Sequence, residues 1–398
     1  MREARLEEIR LRNFKSFRDV TFRKLGGITV LVGENGVGKS TFFDVFGFIK
    51  DCLANNVRQA LAIRGGFREV VTRGHGAEAI CFELKFRMPL AIGIRTVTYL
   101  LEIAEIDNKP VVRKEILQYT RFGGGGKPYK FLDFEMGSGN AIVNEQELSK
   151  AGDERRESQK LESPDILAIK GLGQFQRFEA ASKFRSLIEK WHVSDFHIQS
   201  ARQSSDAGYS EHLSNSGDNL PLVAQFLFER HPKEFQRVLD AMAARVPGIS
   251  SVHAGNTEDG RVVLRFQDGS FKDPFISRFV SDGTIKMFAY LVLLYDPAPH
   301  PLLCVEEPEN QLYPFLLGEL AEEFADYAKR GGQVFVSTHS PDLLNAIELD
   351  SIYVLEKSGG VTDVSRAGDD PQLKAYVAAG DKPGWLWRQG VFSSAGAR

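Results

Sequence analysis

The chain has 398 residues, 42% apolar and 26% charged, with a net charge of −3. That length supports a large core in two or three compact units, and the composition is that of a soluble globular protein. The molecule as a whole is no polycation, so any contact with nucleic acid must rest on a local basic patch. Its three cysteines, Cys52, Cys81 and Cys304, include no C-x-x-C pair. This argues against a zinc hook, an iron–sulfur site or a disulfide framework and fits a reducing cytoplasm. The N-terminus MREARLEEIRLRNF carries no apolar signal core. The longest apolar candidate, Phe288 to Tyr295, is far short of the ~18 residues a membrane span needs. The expectation is a cytoplasmic protein with no membrane partner.

In chain order, residues 5–32 read as two strands. Leu6, Ile9 and Leu11 lead into Asn13–Phe17; Val20 and Phe22 lead to the apolar run Ile28–Val32. Residues 42–62 carry apolar positions at helical spacing. Residues 78–135 switch to alternation broken by turn signals such as Asp107–Pro110, and predict an antiparallel meander. Gly123–Gly126 reads as a hairpin tip, since no helix start follows it. Residues 137–165 are polar and read as an exposed excursion. A helix is expected over 174–191, with Phe175, Phe178, Ala181, Phe184, Ile188 and Trp191 as a core stripe. A short strand at 193–198 and a polar loop at 200–218 follow. Asp218 or Asn219 is placed to cap the first of two helices, 219–230 and 232–245. Strands at 251–254 and 261–267 precede an alternation of helix (282–296, 314–330, 341–347) and strand (302–306, 333–337, 351–356), the mark of a parallel core. No internal repeat or sustained heptad occurs, which excludes a long coiled-coil arm.

The chemistry centres on Gly33–Ser40, GENGVGKS, between the strand Ile28–Val32 and a helix start. Strand, glycine loop and helix are the context that the G-x-x-x-x-G-K-[ST] pattern requires. Gly33, Glu34, Asn35, Gly36, Val37, Gly38, Lys39, Ser40 and Thr41 form the expected phosphate cradle. Lys39 would reach the β- and γ-phosphates of ATP, and the Ser40 hydroxyl would ligate Mg²⁺. Further along, Pro301–Glu309 is an apolar strand ending in carboxylates. Glu306 is assigned to the metal shell and Glu307 to the attacking water. His339 in Val336–Pro341 follows the next apolar strand, where a γ-phosphate sensor belongs. Ser281-Asp282-Gly283-Thr284 starts a helix; as a helix N-terminus it could bind phosphate, including that held by a second copy. The turn 308–314, PENQLYP, could carry signals across such an interface.

Taken together, these motifs resemble the ABC-type ATPase head of the SMC and RecF kind. Asn13–Phe17 before GENGVGKST, SDGT, EEPE and STHSP resemble that group's motifs in order. Residues 213–227, LSNSGDNLPLVAQFL, resemble a stretch of stand-alone bacterial "AAA family" predicted ATPases. The resemblance covers roughly 1–75 and 210–357. It implies a head-to-tail, ATP-dependent homodimer closing around two ATP molecules, with Ser281 and Gly283 serving the partner's nucleotide. Two departures stand out. Glu306 replaces the usual Asp, and Gln311-Leu312-Tyr313-Pro314 replaces the usual Gly-Leu-His-Pro. Gln118 is a weak candidate for the family's Q-loop.

The expected fold is α/β, a P-loop NTPase head with a mixed or parallel core sheet, an antiparallel β subdomain and a helical insertion. The expected domains are 1–135 and 249–398 as the two parts of the head, with a mostly helical 136–248 between them. The expected activity is ATP hydrolysis as a dimerisation switch in DNA repair and maintenance or antiviral defence. DNA contact would use Arg10, Arg12, Lys15, Arg18, Arg23 and Lys24, or the series Arg58, Arg64, Arg68, Arg73. The alternative is a regulatory subunit that controls a separate effector protein such as a nuclease or toxin. The stretch after His339 leaves no room for a Toprim-type nuclease domain. Trp385 and Trp387 are expected to pack on their own domain rather than dock a partner.

Overall fold

In a computed structural model, the described residues are 4–90, 93–119, 128–144 and 155–392. Gly123–Gly126 and Asp153–Glu154 lie outside them. The chain divides into two units. One comprises Met1–Gly26, Leu31–Trp191 and Tyr353–Arg366; the other comprises Gly27–Val30, His192–Ile352 and Ala367–Arg398.

In the first unit, Arg5–Phe14 and Phe17–Arg23 form an antiparallel hairpin in which Phe14 faces Phe17. The N-terminal segment therefore holds three strands before the glycine loop, not two. Asn13 and Lys15 take φ values of 60° and 49°, the left-handed conformations that tight reversals use. The expected meander is present: Ile80–Leu90, Gly93–Ile106, Lys109–Tyr119 and Tyr129–Glu135 pair antiparallel in sequence. Gln118 lies within it, opposite Thr98 and Lys130. Ser138–Ile142 and Arg156–Lys160 extend it to an eight-stranded sheet. Both fall where an exposed excursion was expected. Arg156–Lys160 is an edge strand with no buried residue, so it has no apolar alternation to read.

The helical period from Phe42 breaks at Asn55. Lys39–Ala54 is one helix and Val57–Ile63 a second, capped by the Asn56 side chain on the Gln59 N–H. The first buries an aromatic row. Phe42 sits 4.6 Å from Phe22 and 5.4 Å from Phe46, whose ring meets Trp191 at 5.4 Å. Each fully buried aromatic contributes about 1.5–3 kcal/mol, so this row anchors the helix that carries the loop. The helix expected at 174–191 spans only Glu179–Glu189. Phe178, Ala181, Phe184, Ile188 and Trp191 are buried as expected, but Phe175 lies before the helix and is 55% exposed. Ile352–Ser358 forms a hairpin with Val361–Arg366. The second strand was not expected, because it is short and polar.

In the second unit, His192–Ser194, Leu303–Glu306 and Val334–Ser337 run parallel, with Leu303 opposite both His192 and Val334. The Val334 N–H donates to Gly27 O at 2.8 Å. The strand expected at 193–198 stops at Ser194, and Ile198–Ala201 is a helical turn. Helices Leu220–Arg230, Pro232–Arg245, Asp282–Leu294 and Pro314–Lys329 fall within two residues of the expected spans, while the helix expected at 341–347 shortens to Pro341–Leu344. Asn219 does not cap its helix through the side chain. It ties the preceding loop instead, accepting from the Ser214 N–H at 2.9 Å and donating to the His212 carbonyl at 2.9 Å. Ile249–Asn256 and Arg261–Asp268 form an antiparallel pair. In the tail, Trp387 is half-buried against Phe392, but Trp385 is 54% exposed rather than packed. Among the described residues no helix is long and apolar enough to cross a membrane.

Candidate functional site

The glycine loop follows a strand whose last four residues are buried and opens onto the helix Lys39–Ala54. Gly38 is the hinge residue. Its φ is 107°, and a Cβ there would lie 2.7 Å from Ser16 Oγ and 3.1 Å from Thr362 Oγ1. Only glycine meets both demands. The helix start has no side-chain cap and no acid in its first turn, so no carboxylate of its own competes for an anion there. Lys39 is 6% exposed, and its ammonium donates to Gly33 O at 2.9 Å and Glu34 O at 3.0 Å. The loop is braced from behind: Thr362 Oγ1 donates to Val37 O at 2.7 Å and Lys357 Nζ to Gly36 O at 3.2 Å. Glu34, Asn35, Gly36 and Ser40 are exposed, Gly33 and Val37 are buried, and Thr41 is intermediate. A Cβ on Gly36 would meet nothing within 4 Å. The loop thus has an open lip, a lysine held across it and an exposed Ser40 hydroxyl. That donor set fits a phosphate chain, and a hydroxyl is the hard oxygen ligand that Mg²⁺ takes.

The second unit carries the acids and the histidine. Glu306 ends its strand opposite Ser337. Glu307 follows at φ 41°, a conformation that costs a non-glycine residue about 1–2 kcal/mol. Its N–H donates to Ser337 O at 3.0 Å, which holds the turn. Its carboxylate accepts from Asn310 Nδ2 at 3.0 Å and lies 3.6 Å from His339 Nε2. The structure therefore brings Glu307 and His339 together, as the motif order suggested. Glu309, given no role from sequence, accepts the His339 backbone N–H. Its place two residues after Glu307 was the available signal.

Ser281 caps the helix Asp282–Leu294 by accepting the Thr284 N–H at 3.3 Å, and is itself exposed. A Cβ on Gly283 would lie 3.0 Å from Gln311 O, so this helix start packs closely on the turn after Glu307. Lys286, one turn on and 4% exposed, donates to Asn310 O at 2.7 Å. Burial pulls its ammonium down to about 8, against the opposing field of Glu309, Asp195 and Glu307. Asn310 thus joins the helix Asp282–Leu294 to Glu307 within one chain, a link that sequence spacing did not reveal. Gln311 adopts φ 67°, where the resembled motif has glycine.

Most residues of the expected basic clusters face carboxylates. Arg10 pairs with Asp19 at 2.8 Å, Lys15 with Asp44 at 2.6 Å and Arg18 with Glu78 at 2.9 Å. Arg12 lies 3.8 Å from Glu102, and Arg23 lies 3.7 Å from Glu8. In the second series, Arg58 faces Asp165, Arg64 binds Asp44 and Asp51, and Arg73 binds Glu69.

Comparison with known proteins places these observations. The family model described as "AAA domain, putative AbiEii toxin, Type IV TA system" matches residues 126–345, more than half of the chain. A second model, described as "AAA domain", matches residues 8–206. Among solved structures, an SMC head bound to the C-terminal winged-helix domain of ScpA is similar, with a TM-score of 0.55. It is 16% identical, over 90% of this chain and 96% of that one. An SMC head with an extended coiled coil, bound to the C-terminal domain of ScpA from Pyrococcus furiosus, gives a TM-score of 0.50. It is 14% identical, over 94% of this chain and all of that one. No curated protein matches the chain in sequence. The chain belongs to the AAA-domain family whose description names an AbiEii toxin and type IV toxin–antitoxin systems, and its fold is that of an SMC-type P-loop ATPase head.

Proposed function

We propose that the chain binds and hydrolyses ATP and acts as an ATP-driven dimerisation switch. The loop geometry carries this reading: an uncapped helix start, Gly38 at φ 107°, and Lys39 held over an open lip. In this reading Gly33–Thr41 bind the phosphates, with Lys39 as their cation. Ser40 and Glu306 are the Mg²⁺ ligands; bound Mg²⁺ would offset the charge of the transferred phosphoryl group. Glu307 orients and deprotonates the attacking water, and His339, 3.6 Å from that carboxylate, senses the terminal phosphate. Ser281 and Gly283 contact the nucleotide of a second, head-to-tail copy. The test is nucleotide binding and phosphate release by wild type and Lys39→Ala. Wild-type turnover lost in the variant supports the reading; equal ATP binding by both overturns it.

For the task that the switch drives, the charge pattern favours an effector protein over duplex DNA. Duplex binding draws on uncompensated lysines and arginines that release counterions, whereas most of both basic series face carboxylates. The toxin–antitoxin wording of the matching family and the partner-bound state of the similar SMC heads support the same reading. Defence is the setting we propose, with the switch holding or releasing a separately encoded nuclease or toxin. ATP-dependent co-purification with a neighbouring gene product tests it. A salt-sensitive shift of duplex DNA by the isolated chain would restore the DNA-maintenance reading.

A further inference from the structure

His212, Asp296 and His300 converge within the second unit. One ligand atom from each lies within 4.8 Å of the others. His212 comes from the polar loop before the helix Leu220–Arg230. Asp296 and His300 come from the segment between the helix Asp282–Leu294 and the strand Leu303–Glu306. All three positions are held. Asn219 Nδ2 donates to the His212 carbonyl at 2.9 Å, the Ala298 N–H donates to Asp296 Oδ1 at 2.8 Å, and Tyr327 OH donates to the His300 carbonyl at 2.6 Å. The His300 ring is stacked on His192, with centroids 4.8 Å apart.

The charge balance is what makes this set unusual. The Asp296 side chain is 5% exposed, and its ion-pair partner is His212 at 2.7 Å, which is charged only when protonated. A buried carboxylate is stabilised by a compensating positive charge. A divalent cation would supply the charge. Two imidazoles and one carboxylate are a zinc donor set, and the 44% exposure of the His212 side chain leaves a water-accessible fourth position.

We infer that His212, Asp296 and His300 form a Zn²⁺ site that staples the 207–219 loop to the segment leading into the Glu306 strand. Zinc bonds of about 2.0–2.2 Å hold tetrahedral donors about 3.3 Å apart. Binding therefore draws the set inward by side-chain rotation and replaces the His212–Asp296 hydrogen bond.

The test uses the full chain, freed of any histidine tag, stripped with chelator and kept without nucleotide. It is titrated with Co²⁺ and then with Zn²⁺. The expected result is one Co²⁺ per chain with the intense visible bands of a four-coordinate ion, displaced by one Zn²⁺. His212→Ala, at a half-exposed position, should keep its circular dichroism and bind Co²⁺ at least about tenfold more weakly. Asp296→Asn should weaken binding similarly. No stoichiometric binding by wild type, or wild-type affinity in folded His212→Ala, overturns the site and leaves the three residues as a hydrogen-bonded cluster.

Discussion

Replacing Glu115 by Gln should remove a pH-dependent stability term. Glu115 is fully buried in the strand Lys109–Tyr119 and accepts from Tyr99 OH at 3.1 Å, from the Ile169 N–H at 3.1 Å and from the Ala168 N–H. Burial raises its carboxyl from 4.5 to about 7, against the lowering effect of those three donors. A folded-state value above the unfolded one means that the native state binds the proton more tightly. The stability contributed by this group is then complete below about 4.5 and lost as pH rises through about 7. At about 1.4 kcal/mol per pH unit the loss is about 3 kcal/mol, most of it between pH 5 and 8. Gln cannot titrate, and its misplaced amide donor lowers stability by an amount that does not vary with pH. Urea midpoints across pH 5–8 read the difference, with unchanged m-values checking two-state behaviour. Wild type should lose about 2–3 kcal/mol more than the variant over that range. Parallel pH profiles would refute the desolvation argument.

Gly38→Ala should abolish nucleotide binding and lower stability by about 1–3 kcal/mol, because a positive φ and a 2.7 Å approach to Ser16 Oγ coincide there. Calorimetric ATP titration and thermal melts check it, and wild-type ATP affinity would contradict the loop geometry. Gln311→Gly should raise stability by up to about 1 kcal/mol. It relieves a left-handed conformation at an exposed residue, partly offset by glycine's greater unfolded entropy. A lower denaturation midpoint in that variant would count against strain at the turn.

The sequence showed the α/β alternation, the meander and the motif order, because each rests on local periodicity or punctuation. Leu303–Val305 and Val334–Val336 read as buried parallel strands since every residue is apolar and every one is buried. Arg156–Lys160 was illegible for the converse reason: an edge strand wet on both faces carries no pattern. Asn55 ended a helix whose apolar spacing continues unbroken through the second helix, so periodicity alone ran the two together. Within the candidate site, residue types predicted Lys39, Glu307 and His339. They could not predict that Asn310 links Lys286 to Glu307, because that contact spans 24 residues and depends on how a turn folds back. Charge compensation was hidden in the same way. Arg18 pairs with a glutamate 60 positions away, so a basic cluster in the chain is not a basic surface.

The proposed switch is closed by ATP and opened by hydrolysis. The solution mass of Glu307→Gln with and without ATP and Mg²⁺ reads that switch. Glu307 is the proposed base for the attacking water, and Gln keeps the side-chain volume while removing that basicity. The expected result is a monomer without nucleotide and a stable dimer with ATP and Mg²⁺. A variant that stays monomeric under both conditions, while still binding ATP, would contradict it.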